Sequence, residues 1–411
     1  MTVLDNTQPD GIAGRGLPRS PVTTVLAFSL LVLATAFAAL PPVYRATPSP
    51  DELTWARRSL VPWWFPEPRI MDKTLWSADY RQKYTQCIHH PTLARIVYRT
   101  VLTAAGYDKP PEAVWKYGAS YDENIRLGNF LPSDMRFVLR LTNAFFFAAT
   151  VIVAYLGLAL ILRSRLLGVV ASLPIVFEPT MRITYKAVVP YIGADAVFVF
   201  LLVLAWFLWL RVKDRPLAST LVLGIIGGLA VSTKVNGVFV LLAAAAYYCF
   251  SSRGWRRLAV PAGILSLSAA VFLALNPVYF GGGWPWAVMV FRDTLSLMFD
   301  LKRVTTATSW GSFTPFETIS GTFPCWPLAV PVVAVIWYAR DKWWFGVTFA
   351  WAASVILCNL TLIYMPQPRD AAPVRIAFFV LMMSAGLTFA SAAPSTPPQP
   401  PSPGPADGGQ S

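Results

Sequence analysis

Val22-Thr23-Thr24-Val25-Leu26-Ala27-Phe28-Ser29-Leu30-Leu31 opens an apolar run that continues to Leu40 without a charge. At 1.5 Å per residue such a run rises roughly 28 Å as a helix, close to the ~30 Å hydrocarbon core of a bilayer. It reads as a membrane span. Ala36-Phe37-Ala38 has the small-x-small form that a signal peptidase cuts. Residues 1–20 form a polar, Gly/Pro-punctuated lead of a length unusual for a secretory signal, and many apolar runs follow, so the first run is read as an uncleaved anchor. Those further runs lie at 141–162, 165–180, 188–210, 217–232, 236–250, 257–276, 324–338, 344–364 and 373–392. The expected fold is therefore an all-α integral membrane bundle of about ten spans.

Composition agrees. Of 411 residues, 55% are hydrophobic and 13% charged, against roughly 25% charged in a soluble domain. The net charge of +13 comes from basic residues beside apolar runs, which suits anionic headgroups; with no reader module present, nucleic acid is excluded as a partner. With the N-terminus cytoplasmic, the short inner turns hold Arg163, Arg165, Arg211, Lys213, Arg215, Arg253, Arg256, Arg257, Arg340 and Lys342, and the short outer turns only Arg182, Lys186, Lys234, Arg369 and Arg375. That is the positive-inside bias. It makes 1–20 a cytoplasmic tail, 21–392 the transmembrane domain, and 393–411 a Pro-rich cytoplasmic tail expected to be disordered. Residues 43–137 and 277–323 become long exoplasmic loops, the first carrying interfacial helices. Cys87 and Cys325 fall on the outer side, where a disulfide and two separate thiols are both open.

Just past the first span stands Pro48-Ser49-Pro50-Asp51-Glu52-Leu53-Thr54-Trp55. Ser49 and Glu52 have capping-box spacing and Pro50 suits the first helical position, so the acids read as helix caps. They also sit at a membrane exit beside Arg57 and Arg58, where an ionised Asp51 is a general-base candidate with Glu52 as its partner. His89-His90-Pro91 opens a second interfacial helix from Thr92 to Gly106, with Arg95 and Arg99 four apart. His90 reads as a cap or a phosphate hydrogen-bond donor.

Further on, Arg182, Tyr185 and Lys186 precede Asp195 in the first turns of a span. An acid at that depth needs a cation or a cavity; Lys186 and Arg182 are the candidate ion-pair partners. Between two short spans, Thr233-Lys234-Val235-Asn236-Gly237 makes a polar break that lipid tolerates only inside protein or against water. Lys234 reads either as a snorkelling lysine or as charge compensation for a phosphate. No Walker, Rossmann or metalloprotease motif and no internal repeat occurs.

In order along the chain, the acid pair, His90-Pro91, Asp195 and Thr-Lys-Val-Asn-Gly resemble the C-type (GT-C fold) glycosyltransferases, in particular the branch of protein O-mannosyltransferases and lipid A aminoarabinose transferases. The resemblance covers about residues 20–280. It implies a polytopic enzyme using a polyprenyl-phosphate-linked sugar on the exoplasmic face of, in this setting, a bacterial inner membrane. Asp51 and Glu52 then resemble the catalytic acids. Lys234, Arg58, Arg182 and Lys186 would hold donor phosphate, and His90, Asp195, Tyr185 and Asn236 would bind substrate. The family's frequent His-Pro-Pro is here His90-Pro91-Thr92. The acceptor would be a hydroxyl on glycan, lipid or protein, recognised by the loops. No cofactor is expected; without an Asp-x-Asp cluster, divalent-metal dependence stays open. The alternative reading is a flippase for lipid-linked sugars or another transporter, which would move the lipid without breaking its sugar–phosphate bond; a non-enzymatic scaffold would tolerate loss of the acid pair.

Overall fold

A chain that must satisfy its backbone hydrogen bonds without water has helices as its available elements here, and the computed structural model consists of helices and connecting turns, with no strand, among its described residues, which are 21–60, 92–113, 116, 119–177, 194–277, 288, 292, 342–362 and 372–392. In chain order they form α1 (Pro21–Arg45), α2 (Pro50–Leu60), α3 (Leu93–Ala104), α4 (Tyr121–Arg126), α5 (Ser133–Leu162), α6 (Arg165–Phe177), α7 (Asp195–Val212), α8 (Pro216–Val231), a 3₁₀ turn Val235–Gly237, α9 (Val238–Ser251), α10 (Arg256–Leu275), α11 (Phe345–Leu362) and α12 (Ala372–Ala392).

Helices occupy nine of the ten expected spans; 324–338 lies outside the described residues. Four are long and apolar enough to cross a membrane, within Val25–Arg45, Ser133–Leu162, Asp195–Val212 and Arg256–Leu275; five others are shorter apolar helices. Two helices extend well beyond the expected spans. α1 continues through Pro41 and Pro42 to Arg45. α5 begins at Ser133 rather than 141, because Asp134, Arg136 and Arg140 stop a hydropathy window without stopping a helix.

Packing follows residue size. α8 and α10 run parallel in the closest pairing of the bundle. A Cβ on Gly224 would lie 2.8 Å from Leu267, and one on Gly228 would lie 2.6 Å from Val271. On the other helix, a Cβ on Gly263 would lie 2.7 Å from Thr220. Small residues four apart let helix backbones approach, which is how apolar helices associate in lipid. α7 is central, packing on α5, α8 and α11. Its Trp206 fills the notch at Gly157 of α5 and stacks on Trp351 of α11 with ring centroids 5.5 Å apart. Both indole N–H groups are satisfied, Trp206 by Thr348 Oγ1 at 3.0 Å and Trp351 by the Leu202 carbonyl at 2.9 Å, as buried indoles require.

A second, smaller core lies at one end of this bundle. Leu53, Trp55, Ala56 and Leu60 of α2, Ala94, Tyr98 and Leu102 of α3, Leu131, Met135 and Leu139 around the start of α5, and Ala194 ahead of α7 form one buried cluster. The loop helices are thereby fixed to the same bundle end as the first turns of α5 and α7.

A candidate active site at one end of the bundle

α2 owes its entry geometry to the Ser49–Glu52 capping box. The Ser49 N–H donates to Glu52 Oε2 at 2.9 Å, the reciprocal half of that motif. Glu52 Oε1 accepts from Arg140 Nε of α5 at 2.7 Å, and the two side chains are 0% and 1% exposed. The rest of the Arg140 fork donates to the carbonyls of Val43, Ala46 and Thr47 at 3.2, 2.8 and 3.0 Å. One guanidinium thus satisfies the carbonyls left unpaired where α1 ends and binds α2 through its acid. Burial pushes the Glu52 carboxyl above its ordinary range, against the pull of the Arg140 hydrogen bond and charge. Asp51 stands beside it in the first turn of α2.

Of the two arginines on α2, Arg57 donates to the Ala113 carbonyl at 3.0 Å, so it braces the loop. Arg58 lies in the last turn of α2, partly exposed.

α3 links α2 to the α8–α9 break. Trp55 meets Tyr98 edge-on with centroids 6.2 Å apart, and the Tyr98 hydroxyl bonds Asn143 Oδ1 of α5 at 2.7 Å. Five residues earlier, roughly 7.5 Å of helix rise, the Leu93 N–H donates to the Ser232 carbonyl at 2.8 Å. Around that bond sits a polar knot. The Thr92 N–H donates to Asn276 Oδ1 at 3.1 Å, and Asn276 Nδ2 donates to Ser232 Oγ at 3.1 Å and to the Phe272 carbonyl at 2.7 Å. The Thr92 hydroxyl reaches Asn276 Oδ1, at 3.0 Å, and the Leu275 carbonyl. Three segments far apart in sequence, the entry to α3 and the ends of α8 and α10, are locked together. Asn276→Ala strands buried donors and acceptors and should cost roughly 1–3 kcal/mol, read as a lower melting midpoint of the purified protein; Asn276→Asp, which loses both Nδ2 donations and sets a carboxylate oxygen against the Phe272 carbonyl, should cost at least as much.

Two residues after Ser232, Lys234 Nζ forms an ion pair with Oδ1 of Asp195, which opens α7. The lysine side chain is 30% exposed and the aspartate 7%. Asp195 thus has Lys234 as an ion-pair partner; Lys186 and Arg182, the partners expected from sequence, lie outside the described residues. Asn236 is in the 3₁₀ turn, half-buried. His90, Arg182, Tyr185 and Lys186 lie outside the described residues, as do Cys87 and Cys325. Among the described residues no group of three or more His, Cys, Asp or Glu side chains is placed to hold a metal. Sequence reasoning missed Arg140, Thr92, Ser232 and Asn276; the one available signal was an amide at the very end of an apolar run.

Searched against proteins of known kind, no curated protein matches the chain by sequence. Among solved structures, the chain is similar to ArnT from Cupriavidus metallidurans bound to undecaprenyl phosphate. It is 14% identical with a TM-score of 0.47, over 89% of this chain and 60% of that one. The present chain thus spans somewhat more than half the length of that structure. The family model for dolichyl-phosphate-mannose-protein mannosyltransferases matches residues 73–289. That match leaves out α2 and its acids but runs over α3, Asp195, Lys234 and the Asn276 knot. With just over half of its length matched in this way, the chain belongs to the dolichyl-phosphate-mannose-protein mannosyltransferase family.

Proposed function

We propose that this protein is an integral membrane glycosyltransferase that moves a single sugar from a polyprenyl-phosphate donor to a hydroxyl acceptor on the exoplasmic face, with inversion at the anomeric carbon. The observation that supports this most is the Asp195–Lys234 pair, fixed by the Thr92–Asn276–Ser232 knot at the same bundle end as the acid-bearing α2, in a chain of this family. The acceptor oxygen attacks C1 of the sugar. The C1–O bond to phosphate breaks, and the phosphate leaves with the bonding pair. The acceptor proton passes to the Asp51 carboxylate. Lys234, an ammonium held beside Asp195, offsets the charge that builds on the leaving phosphate. Glu52 has a different task from Asp51: with both oxygens committed to Arg140 and Ser49, it holds the helix on which Asp51 stands.

The reading is tested in proteoliposomes with a polyprenyl-phosphate sugar labelled in the sugar, offered with a panel of hydroxyl acceptors. Release of polyprenyl phosphate with a glycosylated product of opposite anomeric configuration is the expected result. Intact donor crossing the bilayer with no bond broken would replace it with the transport reading. Within the same assay Lys234→Met should lower turnover about 10²-fold, the low end of what one stabilising donor supplies. Asp195→Asn, which keeps the ammonium but loosens it, should raise the donor KM more than it lowers kcat.

A further inference from the structure

The transferase reading uses one end of the bundle and leaves the other end unexplained. There α7 gives way to Lys213-Asp214-Arg215, and α9 to Ser252-Arg253-Gly254-Trp255 ahead of α10. These turns line a cavity of about 500 Å³ whose polar wall carries Lys213, Arg253 and Arg256 together with the Asp214 carboxylate. Its framework is pinned. The Tyr248 hydroxyl bonds Ser219 Oγ at 2.8 Å and the Lys213 carbonyl at 3.2 Å, and Arg257 Nε donates to the Cys249 carbonyl at 2.9 Å. Lys213 pairs with exposed Asp214 at 2.9 Å and lies 6.0 Å over the Trp343 ring. Arg253 and Arg256 are exposed and make no ion pair among the described residues.

Tyr247 and Ser251 form one side of this basic cavity. The same two residues end a second cavity of about 800 Å³ that runs between α9 and α11, walled by Phe239, Ala243, Phe250 and Phe349. A cation-lined chamber and an apolar groove therefore share a wall. A soluble anion would use the chamber alone, and a packed helix the groove alone. A molecule carrying a phosphate on a hydrocarbon chain uses both. Exposed Trp255 beside the chamber suits the headgroup level, where amphipathic rings collect.

We propose that these adjacent cavities bind an anionic diacyl phospholipid from the leaflet opposite the candidate active site, its phosphate among Lys213, Arg253 and Arg256 and one acyl chain along the α9–α11 groove. Charge complementarity selects the anion, since three basic side chains outnumber Asp214 and each favours anionic lipid at this level, and the adjacency of chamber and groove across Tyr247 and Ser251 selects a lipid over a free ion. The site does not depend on the transferase reading and shares no residue with it.

The test is native mass spectrometry of the full-length protein in detergent, titrated with phosphatidylglycerol, phosphatidylethanolamine, a polyprenyl phosphate or inorganic phosphate. Phosphatidylglycerol should be retained in preference to phosphatidylethanolamine. The double variant Arg253→Gln/Arg256→Gln should bind it roughly 25-fold more weakly, about fivefold per removed charge near the surface; both side chains are exposed, so the fold is not at stake. Ala246→Trp, which fills the groove, should weaken lipid binding while the basic chamber stays intact. Unchanged affinity in the double variant would overturn the proposal. So would displacement of the lipid by equimolar inorganic phosphate, which would mark a free-anion pocket, or tighter binding of polyprenyl phosphate, which would mark a donor-lipid site. A disulfide between Ala246→Cys and Cys325, formed with a mild oxidant in lipid-free protein, would equally overturn it, because the groove would then be filled by the chain's own apolar segment.

Discussion

Asp51→Asn lowers the turnover of the transferase roughly 10²–10⁴-fold, the usual span of a lost general base, with the donor KM little changed. Asparagine matches aspartate in volume and still caps a helix well, so it removes proton acceptance and leaves α2 in place. The measurement is initial rate per unit of folded protein in membranes with labelled lipid donor. Glu52→Gln gives the contrast. Its side chain is sealed against Arg140 and Ser49, so its losses should appear in the amount of folded protein rather than in the rate per folded molecule. Near-normal turnover of Asp51→Asn at normal expression would remove Asp51 from the chemistry; equal specific losses in both variants would mean that the two acids act as one unit.

That division of labour between adjacent acids was only half legible in the sequence. Ser49-Pro50-Asp51-Glu52 spells out the cap, because capping is local and its partners lie three residues apart. The ion pair is not local. Arg140 is 88 positions from Glu52 and stands just ahead of an apolar run, where an arginine reads as an interfacial anchor. The same holds for Asp195 and Lys234, 39 residues apart: each is visible as a charge too deep to be unpartnered, while the identity of the partner depends on how α7 meets the end of α8. The Thr233-Lys234-Val235-Asn236-Gly237 break was readable as an irregular segment because its polarity interrupts two apolar runs. What it docks against, the entry to α3, was not, since Thr92 and Asn276 carry no signal beyond being polar. Hydropathy therefore found where helices lie, and charge found which residues need partners. Pairing came from packing, in particular from the glycines that draw α8 and α10 together in register.

Arg140→Met should be the most damaging single change to the fold. Breaking a buried pair by removing one partner costs roughly 3–5 kcal/mol, because the remaining charge is left uncompensated. Here Glu52 would keep its carboxylate at 0% exposure, and the carbonyls of Val43, Ala46 and Thr47 would lose their donor as well. Arg140→Lys should recover little: an ammonium can replace one of those contacts, but not a fork that meets an acid and three carbonyls together. The double variant Arg140→Met/Glu52→Gln should be more stable than Arg140→Met alone, since the orphaned charge is gone, while remaining below the native protein for want of a cap on α1. Melting midpoints in detergent of the native protein, Arg140→Met, Glu52→Gln and the double variant form a double-mutant cycle, and the coupling should be large. Additive effects in that cycle would show that the pair does not hold α2 in place. The proposed role of Glu52 as the support beneath Asp51 would then fall, even if Asp51 itself proved essential to turnover.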